Sequence, residues 1–236
     1  MTEYYYIDTE DIITDFLRNK LIDPRARAEA SESQSFSPSN SDKIITLASP
    51  TLGSVSCITE VTIDGINSGK WKDYYWDYQN STLTFYNTFN GTEEVIITYK
   101  YGTSNWIFSD KVDEQLKATS FPRISIFMVS NPAVRQGQYE APMESNPSIQ
   151  IDIWVKDKYI YNVNDRKYSN NYLTRYIGNQ ITRAFEDNEN ELFPLLYNYR
   201  GLSGVRTAPY SPQYQAFHSI VEANFKSLRT GRIEVN

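Results

Sequence analysis

The run Glu93-Glu94-Val95-Ile96-Ile97-Thr98-Tyr99-Lys100-Tyr101 reads as a β-strand, and it ends a series of strand signals set at short spacing. Before it come Lys43–Leu47, Val55–Ile58, Glu60–Ile63, Trp71–Tyr78 and Thr82–Tyr86, with turn chemistry between several of them. Asp64-Gly65, Gln79-Asn80 and Asn90-Gly91 stand where a hairpin needs residues that tolerate positive φ. Six short strands punctuated in this way predict a small all-β sandwich or barrel.

Toward the N-terminus the pattern changes. Asp8 or Thr9 can accept hydrogen bonds from the first free amides of a helix, and Glu10 and Asp11 put carboxylates near its positive end. Ile12, Ile13, Phe16, Leu17 and Leu21 form one apolar stripe, and Pro24 stops the helix at Asp23. Between helix and strands, Arg25–Asp42 is short of large apolar groups and rich in Ser, Ala, Glu and Arg, which predicts a mobile linker. Its basic pair, Arg25 and Arg27, is read as solvated charge.

Toward the C-terminus, a connector with Trp106, Ile107 and Phe108 leads to a short helix over Asp110–Ala118 and a strand over Phe121–Val129. Asn131–Pro147 carries three prolines and many amides, a long polar loop of the kind that is functional or disordered. It separates the strand Phe121–Val129 from a second one, Ile149–Val155. Tyr172, Leu173, Tyr176, Ile177, Ile181 and Phe185 predict a helix over Tyr168–Glu186 with those residues on one face. Tyr197–Thr207 and Gln213–Phe225 read as a closing strand pair.

The expected fold class is α+β. A discontinuous α/β scaffold, residues 1–36 and 103–236, carries an inserted module at 37–102 that begins with its linker. A length of 236 residues suits two domains, and 40% hydrophobic with 14% aromatic content is globular composition. The formal charge of −6 gives no general attraction for phosphate backbones, so direct nucleic-acid binding is not expected. Residues Met1–Asp11 have neither a basic nor an apolar leader segment, and no run of about 18 apolar residues occurs. Neither export nor membrane insertion is expected.

Chemistry-bearing residues are sparse. One cysteine, Cys57, cannot form an internal disulfide and is read as a buried structural thiol. The one histidine, His218, lies in a strand with no nucleophile elbow nearby, so neither a hydrolytic triad nor a zinc site is expected. Glu186, Asp187, Glu189 and Glu191 lack the spacing and glycine of a calcium loop and read as a solvated acidic turn. The aromatic cluster around Trp71–Tyr78 divides by strand alternation. Tyr74, Trp76 and Tyr78 face a core and Tyr75 faces outward, leaving Trp71 and Tyr75 as a possible aromatic contact surface.

The order helix, strand, long loop, strand, helix and closing strands resembles that of the tail-terminator, or tail-completion, proteins of tailed viruses. The resembling segments are Thr9-Glu10-Asp11-Ile12-Ile13 through Leu21, Phe121-Pro122-Arg123-Ile124-Ser125-Ile126, Ile149-Gln150-Ile151-Asp152-Ile153-Trp154, the helix around Tyr172–Phe185, and the C-terminal strand pair. Together they cover a little over half the chain. The segment Glu93–Gly102 resembles instead the small β-sandwich modules grafted onto virion proteins.

The resemblance implies a tail-terminator-like sheet packed by helices and a structural virion protein without enzyme activity, cofactor or metal. Copies are expected to close into a ring, a hexamer, that ends the tail tube and joins it to the head–tail connector. Partners are then the chain itself, the tail-tube protein and a connector or stopper protein, with DNA only passing through the lumen and no membrane. The expected location is the tail or neck of a virion assembled in the host cytoplasm. Contact is expected in the long loop, at Arg135, Gln136, Gln138, Tyr139 and Met143. A neck adaptor or stopper, a tail-tube subunit, and a carbohydrate- or receptor-binding module stay open as alternatives.

Overall fold

The structure, a computed structural model, describes residues 9–25, 29–47, 54–69, 73–77, 81–102, 106–109, 121–130, 133–135, 143–157, 160–163, 166–188, 202–225 and 227–229. The fold is α+β, with strands predominating over two helices among the described residues. It divides into two compact units, one spanning Ala26–Asn105 and the other combining Asp8–Arg25 with Trp106–Arg232.

In the first unit the strands are β1 (Glu29–Phe36), β2 (Ile44–Thr46), β3 (Ser54–Ile63), β4 (Ile66–Asn67), β5 (Tyr74–Asp77), β6 (Thr82–Phe85) and β7 (Val95–Gly102). They form two antiparallel sheets, β1-β7-β3-β4 and β2-β6-β5, and neither closes into a barrel. The module is therefore a sandwich. Val55, Ile58, Val61, Val95, Ile97 and Tyr99 from one sheet meet Ile45, Tyr74, Trp76, Leu83 and Phe85 from the other in a single core. Each such side chain contributes about 1.5–3 kcal/mol by leaving water.

Two strands expected at Val55–Ile58 and Glu60–Ile63 are one strand, β3, whose register shifts between Val55 and Cys57 and again between Ile58 and Glu60. These bulges re-phase the pleat, so the neighbours Cys57 and Ile58 are both buried, which strict alternation forbids. Asp64 and Gly65, at φ 50° and 76°, make the turn that joins β3 to β4. Asn90-Gly91 does not close a hairpin, because it carries the chain from β6 in one sheet to β7 in the other. There Glu93 accepts the backbone N–H of Asn90 at 2.8 Å, which holds its carboxyl below the ordinary range.

The linker expected over Arg25–Asp42 is, at residues 29–36, the edge strand β1. It pairs with β7 without a break from Glu29↔Gly102 to Phe36↔Val95. An edge strand needs little apolar content, and of β1 only Phe36 packs on the core. Polar contacts hold the rest: Ser33 Oγ lies 2.9 Å from Thr98 Oγ1, and Gln34 Nε2 donates to the Tyr99 hydroxyl at 2.6 Å. Burial, together with the charge and hydrogen bond of Glu32, pushes the Tyr99 phenol up to about 12. The segment 29–36, assigned to the scaffold from sequence, thus belongs by pairing to the module.

The second unit contains helix α1 (Thr9–Lys20), strands β8 (Ile107–Phe108), β9 (Arg123–Ser130), β10 (Ala133–Arg135), β11 (Met143–Ser145), β12 (Ser148–Lys156), β13 (Ile160–Val163) and β14 (Arg166–Ser169), helix α2 (Asn170–Asp187), and strands β15 (Arg206–Thr207), β16 (Ala216–Asn224) and β17 (Ser227–Arg229). Its main sheet has the order β15-β16-β12-β9-β8, parallel only at β8–β9. Ile149, Ile151, Ile153 and Val155 alternate along β12, and with Ile124, Ile126, Val221 and Ala223 they are fully buried. Both helices pack on this sheet. Phe16 of α1 meets Phe185 of α2 at 5.1 Å, and Ser219 in β16 donates to Thr174 of α2 at 2.9 Å. Arg18 clamps the sheet edge by donating to the Ile107 carbonyl at 2.6 Å, and Glu10 accepts the backbone N–H of Met128.

Several expectations shift. The helix ends at Lys20, ahead of Asp23, although the Leu21 N–H still bonds to the Leu17 carbonyl. Ile107 and Phe108, taken as connector, form β8, since two residues are too few to show alternation. Of the strand Tyr197–Thr207 the described residues begin at Leu202, and among them Arg206–Thr207 pairs with β16 and Leu202 forms a bridge to Ala223. The hairpin β13–β14 had no clear signal. The helix over Asp110–Ala118 lies outside the described residues.

Helix α2 corrects the expected apolar face. Leu173, Ile177, Ile181, Ala184 and Phe185 are buried, but Tyr172 is 71% exposed. At about 100° per residue, Tyr172 and Ile181 stand on opposite sides of the helix. Gly178 lies on the buried side, where a Cβ would come 2.6 Å from Val205 Cγ2.

Candidate functional site

Of the expected contact residues Arg135, Gln136, Gln138, Tyr139 and Met143, the two that are described, Arg135 and Met143, lie in paired strands. Strands β10 and β11 pair over Ala133↔Ser145, Val134↔Glu144 and Arg135↔Met143, and β11 pairs in turn with the C-terminal strand β17. Within the segment expected as a long loop, residues 133–135 and 143–145 are therefore strands of a small three-stranded sheet. Arg135 and Met143 form its last rung, while Gln136, Gln138 and Tyr139 lie outside the described residues. Three-residue strands rich in polar groups leave no periodic signal, which is why sequence reasoning missed them.

In the module, Trp71 lies outside the described residues. Tyr75 points away from the core that Tyr74 and Trp76 fill, and it is half-buried with its ring 6.3 Å from that of Tyr86. Tyr75 is thus engaged by packing within the module.

The main sheet's second face, opposite the helices, carries the polar side chains. Antiparallel register puts Gln150, Asp152, Trp154 and Lys156 of β12 beside Ser125 and Arg123 of β9 and beside His218 and Glu222 of β16. His218 stacks on Trp154 at 3.9 Å with the rings 5° from parallel, and Tyr214 meets the other contact direction of Trp154 edge-on at 5.1 Å. Asp152 Oδ1 accepts from Gln150 Nε2 at 2.8 Å. It also stands 3.2 Å from His218 Nε2, close enough for an ion pair but off the line of a well-formed hydrogen bond. Arg123 lies over the Phe108 ring at 3.7 Å and donates to Ser125 Oγ at 3.2 Å.

An aspartate against a histidine is two-thirds of a hydrolytic triad, so its surroundings decide what it can do. Ser125, opposite Asp152 on the next strand, is fully buried and its hydroxyl is taken by Arg123. Among the described residues no hydroxyl or thiol is hydrogen-bonded to His218. Arg123, Asp152 and Trp154 are also withdrawn from solvent, at 4%, 7% and 8% exposed. The cluster reads as a network that fixes the shape of the sheet. At its rim Arg206 and Glu222 form an ion pair of 2.8 Å, exposed enough to add only about 0–1 kcal/mol.

Among the described residues no group of three or more His, Cys, Asp or Glu side chains is arranged to hold a metal ion. No helix among them is long and apolar enough to cross a membrane. Comparison of the chain with family models, with curated proteins and with solved structures finds no match.

Proposed function

We propose that this chain is a structural virion protein that forms a ring, closes the end of a tail tube and joins it to the head–tail connector. The observation that carries the reading is the element order of the second unit: helix, strand, the short strands β10 and β11, strand, helix and closing strand around one sheet. The sequence resembles tail-terminator proteins in the order helix, strand, long loop, strand, helix and closing strands, with β10 and β11 standing where the long loop was expected. The pairing of β10 with β11 and of β11 with β17 supports it further, because it holds two of the expected contact residues, Arg135 and Met143, side by side on ordered strands. The chain acts by geometry and has no reaction to catalyse. Its partners are other copies, the tail-tube protein and a connector protein, with DNA passing through the lumen.

The test uses tail tubes polymerised from the subunit of the same virus, mixed with gold-labelled chain and viewed by electron microscopy. Label at one end of each tube, with tube growth arrested, is the expected result. Label along the length would make the chain a tube subunit, and tubes without label would refute the reading.

A further inference from the structure

Of the module's edge strands, β4 has two residues, β2 three and β5 four, whereas β1 has eight. Edge strands are ordinarily kept short or guarded by lysine, proline or a bulge, because their unpaired backbone groups invite another strand. Over Glu29–Phe36 there is no lysine, no proline and no break in register. The parity of the hydrogen bonds decides which groups face out. The carbonyls of Glu94 and Thr98 point to the β3 side, where Asp64 N–H and Thr59 Oγ1 donate to them at 2.9 and 3.0 Å. The Tyr99 carbonyl points to β1, where Ser31 Oγ donates to it at 3.3 Å. Val95, Ile97, Tyr99 and Tyr101 therefore bond to Phe36, Gln34, Glu32 and Ala30, and the N–H and C=O groups of Ser31, Ser33 and Ser35 are directed away from the sheet. All three serines are exposed, and among the described residues no hydrogen bond reaches their outward backbone groups. The hydroxyls of Ser33 and Ser35 turn back onto Thr98 and Glu94, each at 2.9 Å, and leave the edge open.

We propose that β1 receives an extended, basic segment of another protein as the fifth strand of the sheet β1-β7-β3-β4. The open groups themselves define the occupant, since N–H and C=O pairs at every second residue are matched by a strand. Charge defines its chemistry. Glu32 on the strand and Glu94 beside Ser35 are exposed acids, while Lys100, opposite Ser31, is half-buried and already has a partner. Pairing with the β1 of a second copy would gather the acids of both chains at one seam, which like charges oppose. A strand carrying lysine or arginine neutralises them instead. The inference stands apart from the ring reading, because each copy carries its own β1 edge.

Fluorescence anisotropy on the full-length chain tests it, with a labelled, cyclised hairpin peptide whose outer strand alternates valine with lysine and threonine. Cyclisation removes much of the ordering cost of the probe. Ser33→Pro deletes an outward N–H and leaves the ladder to β7 whole, so circular dichroism should be unchanged while the peptide binds at least tenfold more weakly. Two altered peptides test the same point on the wild-type chain. One is N-methylated along its outer edge and the other has glutamate for lysine, and each should bind at least tenfold more weakly than the parent. Hydrogen exchange over residues 29–36 should slow when the parent peptide binds. Absence of binding, or binding that survives Ser33→Pro or N-methylation, overturns the strand addition. Equal binding of the glutamate peptide overturns the basic partner. Self-association of the chain that Ser33→Pro abolishes would make the occupant a second copy and overturn the proposal as well.

Discussion

Gly178→Ala tests how α2 is seated. The added Cβ would stand 2.6 and 2.8 Å from the two Cγ atoms of Val205 and 3.3 Å from its Cβ. Rotating Val205 cannot relieve all three contacts, because its Cβ does not move with χ1 and a β-branched residue has few rotamers. Ordinary contact needs about 3.5–4.0 Å, so helix and loop must separate by roughly 1 Å. Overpacking of this kind costs about 1–3 kcal/mol. Replacing glycine inside a helix returns about 1 kcal/mol. The net expectation is a loss of about 1 kcal/mol, or a fall in Tm of about 2–4 °C for a chain of this size. The assay is urea unfolding of Gly178→Ala, Val205→Ala and the double variant. With Val205 trimmed, Gly178→Ala should become stabilising, giving a coupling of at least about 1 kcal/mol between the sites. A Gly178→Ala variant more stable than wild type by the full helix-propensity gain would refute the packing argument.

Other substitutions probe the module and the polar sheet face. Tyr99→Phe should cost about 1 kcal/mol by removing the hydroxyl that engages Gln34 and Glu32, read by denaturant unfolding. The raised Tyr99 value means that the folded state holds its proton more tightly. Its contribution is fully present below pH 10.0 and is lost as pH rises toward about 12, so the stability difference between wild type and Tyr99→Phe should shrink across that window. Gly91→Ala should cost about 1–2 kcal/mol for its left-handed conformation at φ +83°, and more because the new Cβ would lie 2.9 Å from the backbone nitrogen of Asn40; thermal unfolding reads this, and an unchanged Tm would contradict it. Trp154→Ala should cost about 3–5 kcal/mol, since it removes the ring against which both His218 and Tyr214 pack; hydrogen exchange in β12 and β16 should rise with it.

What was legible in the sequence followed from burial. Strands with one face in a core, such as β7 and β12, carry alternation strong enough to place them, and Tyr74 and Trp76 fell on the inner face that alternation assigned. Elements with little apolar content were not legible. Strand β1 is serine-rich and exposed, so its composition signals disorder while its ladder to β7 is continuous. Strands β10, β11 and β17 are three residues each, too short for alternation to show. The outer arc of α2 was hidden for another reason: tyrosine counts as apolar in a periodic pattern, so Tyr172 was drawn into the buried stripe that the helix turns away from it. The Asp152–His218 contact depends on strand register, which spacing along the chain does not reveal.

The proposed function requires that copies of this chain close into one ring. Native mass spectrometry of the purified protein, with class averages from negative-stain images of the same sample, tests it most directly. The expected result is a single species of six chains with an open centre and six-fold symmetry. A species that remains one chain at every concentration, with or without tail-tube protein present, would contradict it.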